Sequence, residues 1–82
     1  MNASKLRGLR VEKGHTQSSM AKIICRSLDT YAKKERGEVA CSPREMCLIA
    51  TALNMSFDLF NIVFFDGNLP FGNILGEHND PL

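Results

Sequence analysis

The sequence predicts an all-α fold of five short helices, and three observations predict it. A capping residue recurs five times across residues 1–65, with spaced apolar residues behind most of the caps and stops at Gly14, Gly37 and Asn54. One of these starts, Ser42-Pro43-Arg44-Glu45, is a full capping box with proline at the first helical position, the strongest local signal in the chain. At 82 residues the chain has room for a single compact core, which five short amphipathic helices can build together.

In the first helix Ser4 is the expected cap, with Leu6 and Leu9 turned inward, Val11 partly covered and Gly14 as the stop. Thr16 caps the second, whose inner face carries Met20, Ala21 and Ile24. After the short Ile24-Cys25-Arg26 connection, Ser27 caps a third helix that runs to about Arg36 and ends at Gly37. The fourth helix follows the capping box, buries Met46, Ile49, Ala50 and Leu53, and stops at Asn54. Ser56 opens the short fifth helix, with Phe57 and Phe60 in the core. From Asp66 onward glycine, asparagine and proline dominate, so the expected division is a domain over 1–65 and an irregular tail over 66–82.

Net charge is only +1, but its distribution is uneven. Residues 1–65 hold all ten Lys and Arg against six acids, leaving the body at +4, while Asp66, Glu77 and Asp80 make the tail −3. Such a split favours an anion-binding body. The longest apolar runs fall well short of the ~20 residues that span a bilayer, and the N-terminal Met-Asn-Ala-Ser-Lys lacks the apolar stretch of a secretory signal, so no membrane partner and a cytoplasmic location are expected. Cys25, Cys41 and Cys47, odd in number, read as free thiols. With no Cys/His pairing at zinc spacing, no nucleophile–base pair and no phosphate-binding loop, the sequence points to neither a metal, a cofactor nor a small-molecule substrate, and not to an enzyme.

Two capped helices joined by a three- or four-residue turn describe a helix-turn-helix. The run Leu6-Arg7-Gly8-Leu9-Arg10-Val11-Glu12-Lys13-Gly14-His15-Thr16-Gln17, the pair Met20-Ala21, the stretch Ser27 to Glu38 and the stretch Ile49 to Asp58 together resemble the Cro/repressor-type family of phage and prophage regulators. The resemblance spans roughly residues 5–65; each motif is weak alone, and their joint spacing is specific. It implies a five-helix, lambda-repressor-like DNA-binding domain, a transcriptional regulator that binds double-stranded DNA at a palindromic operator through its third helix.

Carried onto this chain, the family's base-reading positions are Ser27, Leu28, Asp29, Ala32 and Lys33. Lys33 can donate to guanine O6 or N7, Asp29 can accept from cytosine N4, and Leu28 can pack on a thymine methyl. Tyr31 faces the core instead. Gln17, Arg36, the backbone at Gly37, Ser42 and Arg44 fall where the family grips the sugar-phosphate backbone, contacts that fix register without reading sequence. Arg10 and Glu35 fall at the positions of a partly buried ion pair tying the first helix to the third. Lys34 is ambiguous, with its stem able to lie along the core edge. Cys25 stands where the family usually has a glycine in a left-handed turn, and Arg26 and His15 replace apolar residues. Asp29 places a negative charge close to phosphates.

An apolar surplus remains. Leu48 and Leu59 fall on faces the core is expected to leave open, and Ile62-Val63-Phe64-Phe65 follows directly. A homodimer using Leu59, Ile62, Val63, Phe64 and Phe65 would cover these residues and present two reading helices to a palindromic site. The competing cover is the chain's own Leu69-Pro70-Phe71. The competing function is a protein-interaction module on the same scaffold, antirepressor-like or antitoxin-like, which the low charge and Asp29 favour.

Overall fold

The computed structural model describes residues 1–68. These form α1 (Ala3–Glu12), α2 (Gln17–Ile23), α3 (Leu28–Glu35), α4 (Pro43–Ala52) and α5 (Phe57–Phe65), with no strand among the described residues. The all-α architecture is the expected one. Residues 69–82, including the Leu69-Pro70-Phe71 cover and most of the expected tail, lie outside the described residues.

Four of the five expected caps hold. Thr16, Ser27, Ser42 and Ser56 each accept a backbone N–H three residues on, from Ser19, Thr30, Glu45 and Leu59. The first cap is Asn2, not Ser4: Asn2 Oδ1 accepts from the Lys5 N–H at 3.1 Å, and the Ser4 hydroxyl donates to the same oxygen at 3.3 Å. Asparagine caps as well as serine does. Starting there also lets the Asn2 N–H reach the Val63 carbonyl at 2.7 Å, satisfying one of the acceptors left open at the end of α5.

α2 packs on α3 and α4, while α1 packs on α3 and α5. The core between them holds Leu6, Leu9, Met20, Ala21, Ile24, Tyr31, Cys41, Ile49, Leu53, Val63 and Phe64. Val11, expected to be partly covered, is exposed, because the inward i, i+3, i+4 stripe of α1 is Leu6, Leu9 and Arg10. Ile49 in α4 and Leu53 just after it are buried, and Met46 and Ala50 are half-buried. Leu48 and Leu59 are half-buried against the core rather than open.

The largest correction concerns α5. Val63 (0% exposed) and Phe64 (7%), expected at a dimer interface, lie inside the domain, while Phe57, expected in the core, is 38% exposed. The inward stripe is Phe60, Val63 and Phe64, spaced i, i+3, i+4, with the Phe60 and Phe64 rings 5.2 Å apart. Phe57 begins the helix, a full turn before that stripe. Ile62, 40% exposed, points out.

Cys25 sits at φ +59 in the turn between α2 and α3, the left-handed region where a Cβ is strained. Cys25→Gly removes that strain but adds freedom to the unfolded chain, so the expected gain is modest, up to ~1 kcal/mol. A urea midpoint that rises slightly, without a change in slope, is the result to look for.

Candidate nucleic-acid interface

Ser27 accepts the Thr30 N–H, and its hydroxyl donates to Thr30 Oγ1 at 2.9 Å, which starts α3 sharply after the Cys25 turn. Arg36 and Gly37 (φ +82) end it. Within these limits the 3.6-residue period separates two faces. Tyr31, Lys34 and Glu35 turn inward, whereas Leu28, Asp29 and Lys33 turn to solvent with half-buried Ala32 beside them. All five expected base-reading positions thus lie at the start or on the outer side of one helix. Leu28 is 52% exposed, a large apolar side chain standing next to Asp29 on that face. Lys33 Nζ meets Asp29 Oδ2 at 3.2 Å across one turn.

Two buried carboxylates hold this helix in place. Glu35, at its end, is 3% exposed. Arg10 Nε from α1 donates to its Oε1 at 2.6 Å, Gln17 Nε2 from α2 to its Oε2 at 2.9 Å, and the Tyr31 hydroxyl to Oε1 at 3.0 Å. Burial pushes the Glu35 carboxyl up, but the hydrogen bonds from Arg10, Gln17 and Tyr31 outweigh it and hold the group below the ordinary carboxylate range. The Tyr31 phenol is driven above its ordinary value, first by burial and then by the charge of Glu35. Arg10 also donates to the His15 carbonyl at 2.8 Å, so one guanidinium fixes the α1–α2 turn as well.

The second carboxylate, Glu45 on α4, is also 3% exposed. Its Oε1 accepts from the Ser42 N–H at 2.8 Å, completing the capping box, and meets Lys34 Nζ at 3.0 Å. Its Oε2 accepts from Arg26 Nε at 2.7 Å. Arg26 precedes α3 and Lys34 lies near its end, so Glu45 grips α3 at both ends. Burial raises its pKa, yet the Ser42 N–H, Arg26 and Lys34 outweigh that and bring it to about 2. Lys34 donates further to the Ala40 carbonyl at 2.8 Å. Sequence reasoning missed this clamp. Its signal was present in the charged Arg26 at an apolar turn position and in Lys34 on the inward stripe of α3.

The residues expected at the DNA backbone are placed less uniformly. Arg44 is exposed on the first turn of α4 and pairs with no carboxylate among the described residues. Arg36 is exposed and pairs with Glu38 at 2.6 Å, which lowers the Glu38 pKa through that hydrogen bond. Ser42 has its hydroxyl in the α4 cap, and Gln17 has its amide on Glu35. Both side chains thus already serve the fold. Arg7, not singled out in the sequence, lines an open groove with Val11, Gln17 and Arg36, adding a cation beside the end of α3.

Among the described residues no group of three or more His, Cys, Asp or Glu could hold a metal ion, and no helix is long and apolar enough to cross a membrane. A helix-turn-helix family model matches residues 6–60, a span that runs from the inward face of α1 into α5. No curated protein and no solved structure matches the chain.

Proposed function

The chain belongs to the helix-turn-helix family of DNA-binding regulators, and we propose that it acts as a Cro/repressor-type transcriptional regulator reading a palindromic operator through α3. Its five-helix arrangement is a lambda-repressor-like fold. The observation that carries the reading is the exposed face of α3, Leu28, Asp29, Ala32 and Lys33, on a helix braced from behind by Glu35 and Glu45. An α-helix fits the major groove, where each base pair presents its own pattern of donors, acceptors and methyl groups. A helix that must place side chains against base edges gains from being locked, because misalignment would blur the readout.

In this reading Arg36 and Arg44 supply the phosphate grip, while the Gln17 amide, the Ser42 hydroxyl and the Gly37 N–H are engaged within the fold. Arg44 is the cleanest case, since it has no competing carboxylate among the described residues; Arg36 must first part from Glu38. Arg44→Ala is expected to weaken binding to all duplexes alike. It should also reduce the slope of log K against log salt by about 1 per subunit bound. Anisotropy titrations of a labelled duplex between 50 and 200 mM salt read both effects. Binding that ignores salt would favour the protein-interaction reading, for which the exposed Leu28 supplies an apolar contact.

The palindromic site rests on self-association. Ile62 points out of α5 and Phe57 is exposed at its start, with half-buried Leu59 and Phe65 along the edges of the buried stripe, and a second copy is the proposed cover. Two copies of α3 would then enter the groove about one turn apart, roughly 34 Å. Because Phe64 is a core residue, Ile62→Asp is the informative variant: it should abolish a dimer in sedimentation at micromolar concentration and leave the helical signal intact. A wild-type chain that sediments as a monomer at that concentration would remove the dimer from the free protein.

A further inference from the structure

We propose that Asp29 and Lys33 act as one unit that selects a G·C base pair in each half-site, with Leu28 and Ala32 selecting a thymine methyl on the neighbouring pair. The inference rests on the reading of α3 as the base-contacting helix and deepens it to the chemistry of the operator. It starts from the 3.2 Å contact between Lys33 Nζ and Asp29 Oδ2, which sets a cluster of donors directly beside an acceptor on the exposed side of α3. The major-groove edge of G·C carries two adjacent acceptors, N7 and O6, followed by one donor, the cytosine N4 amine. An ammonium has three protons. One can stay on the Asp29 carboxylate while two serve guanine N7 and O6, and Asp29 Oδ1 accepts from cytosine N4.

Every polar group on the G·C edge is then matched without breaking the ion pair. The A·T edge runs acceptor, donor, acceptor, with a methyl beside the last. A carboxylate placed on adenine N6 leaves the ammonium able to serve only one of the two flanking acceptors. The other is desolvated without a partner, which is the ordinary source of discrimination.

The same contact accounts for an acid on a face turned towards phosphates. Alone, Asp29 would be repelled; paired with Lys33 it adds no net charge, and the phosphate grip falls to Arg36 and Arg44. One residue round the helix from this polar pair, Leu28 and Ala32 form an apolar pair at i, i+4, with Leu28 52% exposed. The thymine methyl is the apolar group that the floor of the major groove offers to such a pair.

The test uses the full chain on the duplex it selects from a random pool, with single base-pair changes and base analogues. Replacing the key G·C by A·T should weaken wild-type binding ~10–100-fold, and 7-deazaguanine, which lacks N7, should weaken it by a smaller factor. Hypoxanthine opposite cytosine keeps the major-groove edge and should change nothing. Uracil for the neighbouring thymine should cost ~4-fold, the value of one buried methyl, and should cost nothing in Leu28→Ala. Asp29→Asn is decisive through its sign. A reading unit predicts loss of affinity for the selected duplex and loss of the G·C preference, whereas an acid that merely repels phosphates predicts tighter binding to every duplex, which would overturn the proposal. A selected site whose preferences ignore the Lys33, Asp29 and Leu28 variants would also overturn it while leaving DNA binding intact. A pool that yields no selected duplex would instead overturn the DNA-binding reading on which the proposal stands.

Discussion

Arg10→Met should cost the domain about 3–5 kcal/mol, because it strands a buried carboxylate whose main charge partner is gone. Glu35 would keep the Gln17 amide and the Tyr31 hydroxyl, both neutral donors, and would lose the guanidinium that meets it at 2.6 Å. The His15 carbonyl would lose its donor as well. In a domain of this size such a loss lowers the melting temperature by more than about 10 °C. Reversing the pair gives the sharper experiment. Arg10→Glu and Glu35→Arg should each destabilise severely, and the double swap should recover part of the loss, since a partner of opposite sign is restored within reach. Recovery is incomplete because Gln17 and Tyr31 are arranged to donate to a carboxylate at position 35. Two single variants with wild-type urea midpoints would mean that the pair does not hold α1 to α3.

The second large effect concerns Glu45 and acid. Its pKa in the folded protein is about 2, against 4.5 for the unperturbed group, and Glu35 is shifted in the same direction. The folded state therefore binds fewer protons than the unfolded state between these values. The stability from this source is fully present above about pH 5 and is lost as the pH falls towards 2. Glu45→Ala removes the anchor of Arg26 and Lys34 and half of the capping box, with an expected loss of about 3–5 kcal/mol at neutral pH. Glu45→Gln can keep the capping hydrogen bond but not the charge, so it should lose less and show a shallower acid limb. Urea midpoints recorded from pH 7 to pH 2.5 for the wild type and both variants measure this directly. A wild-type stability that stays flat down to pH 2.5 would contradict the clamp.

What the sequence disclosed and what it withheld divide along a physical line. Features set by neighbours in the chain were legible: the Thr16, Ser27, Ser42 and Ser56 caps and the stop at Gly37, whereas the left-handed turn at Cys25 was implied by the family resemblance. The outward face of α3 was legible through the family resemblance, and the period of the helix agrees with it. Features that depend on which helix meets which were harder. The Arg10–Glu35 contact was legible only through the family resemblance, since no local spacing joins residues so far apart. The Glu45 clamp needs α2, α3 and α4 in place before Arg26 and Lys34 can converge on one carboxylate.

α5 failed for a different reason. Its sequence, Phe-Asp-Leu-Phe-Asn-Ile-Val-Phe-Phe, is apolar almost all round, so polarity does not say which side turns inward. The answer comes from tertiary packing on α1, sealed by the hydrogen bond from Asn2 to Val63. The exposed Val11 is the same lesson in reverse, because Arg10 takes the inward position that an apolar residue would ordinarily fill.

Selection from a random duplex pool with the purified full chain tests the central claim most directly. The expected result is enrichment of one palindromic motif, with half-sites centred about 10 base pairs apart, and loss of that enrichment when Lys33 and Asp29 are both replaced by alanine. A pool that emerges with no enriched sequence, or one enriched equally by the double variant, would contradict the assignment of α3 as the reading helix.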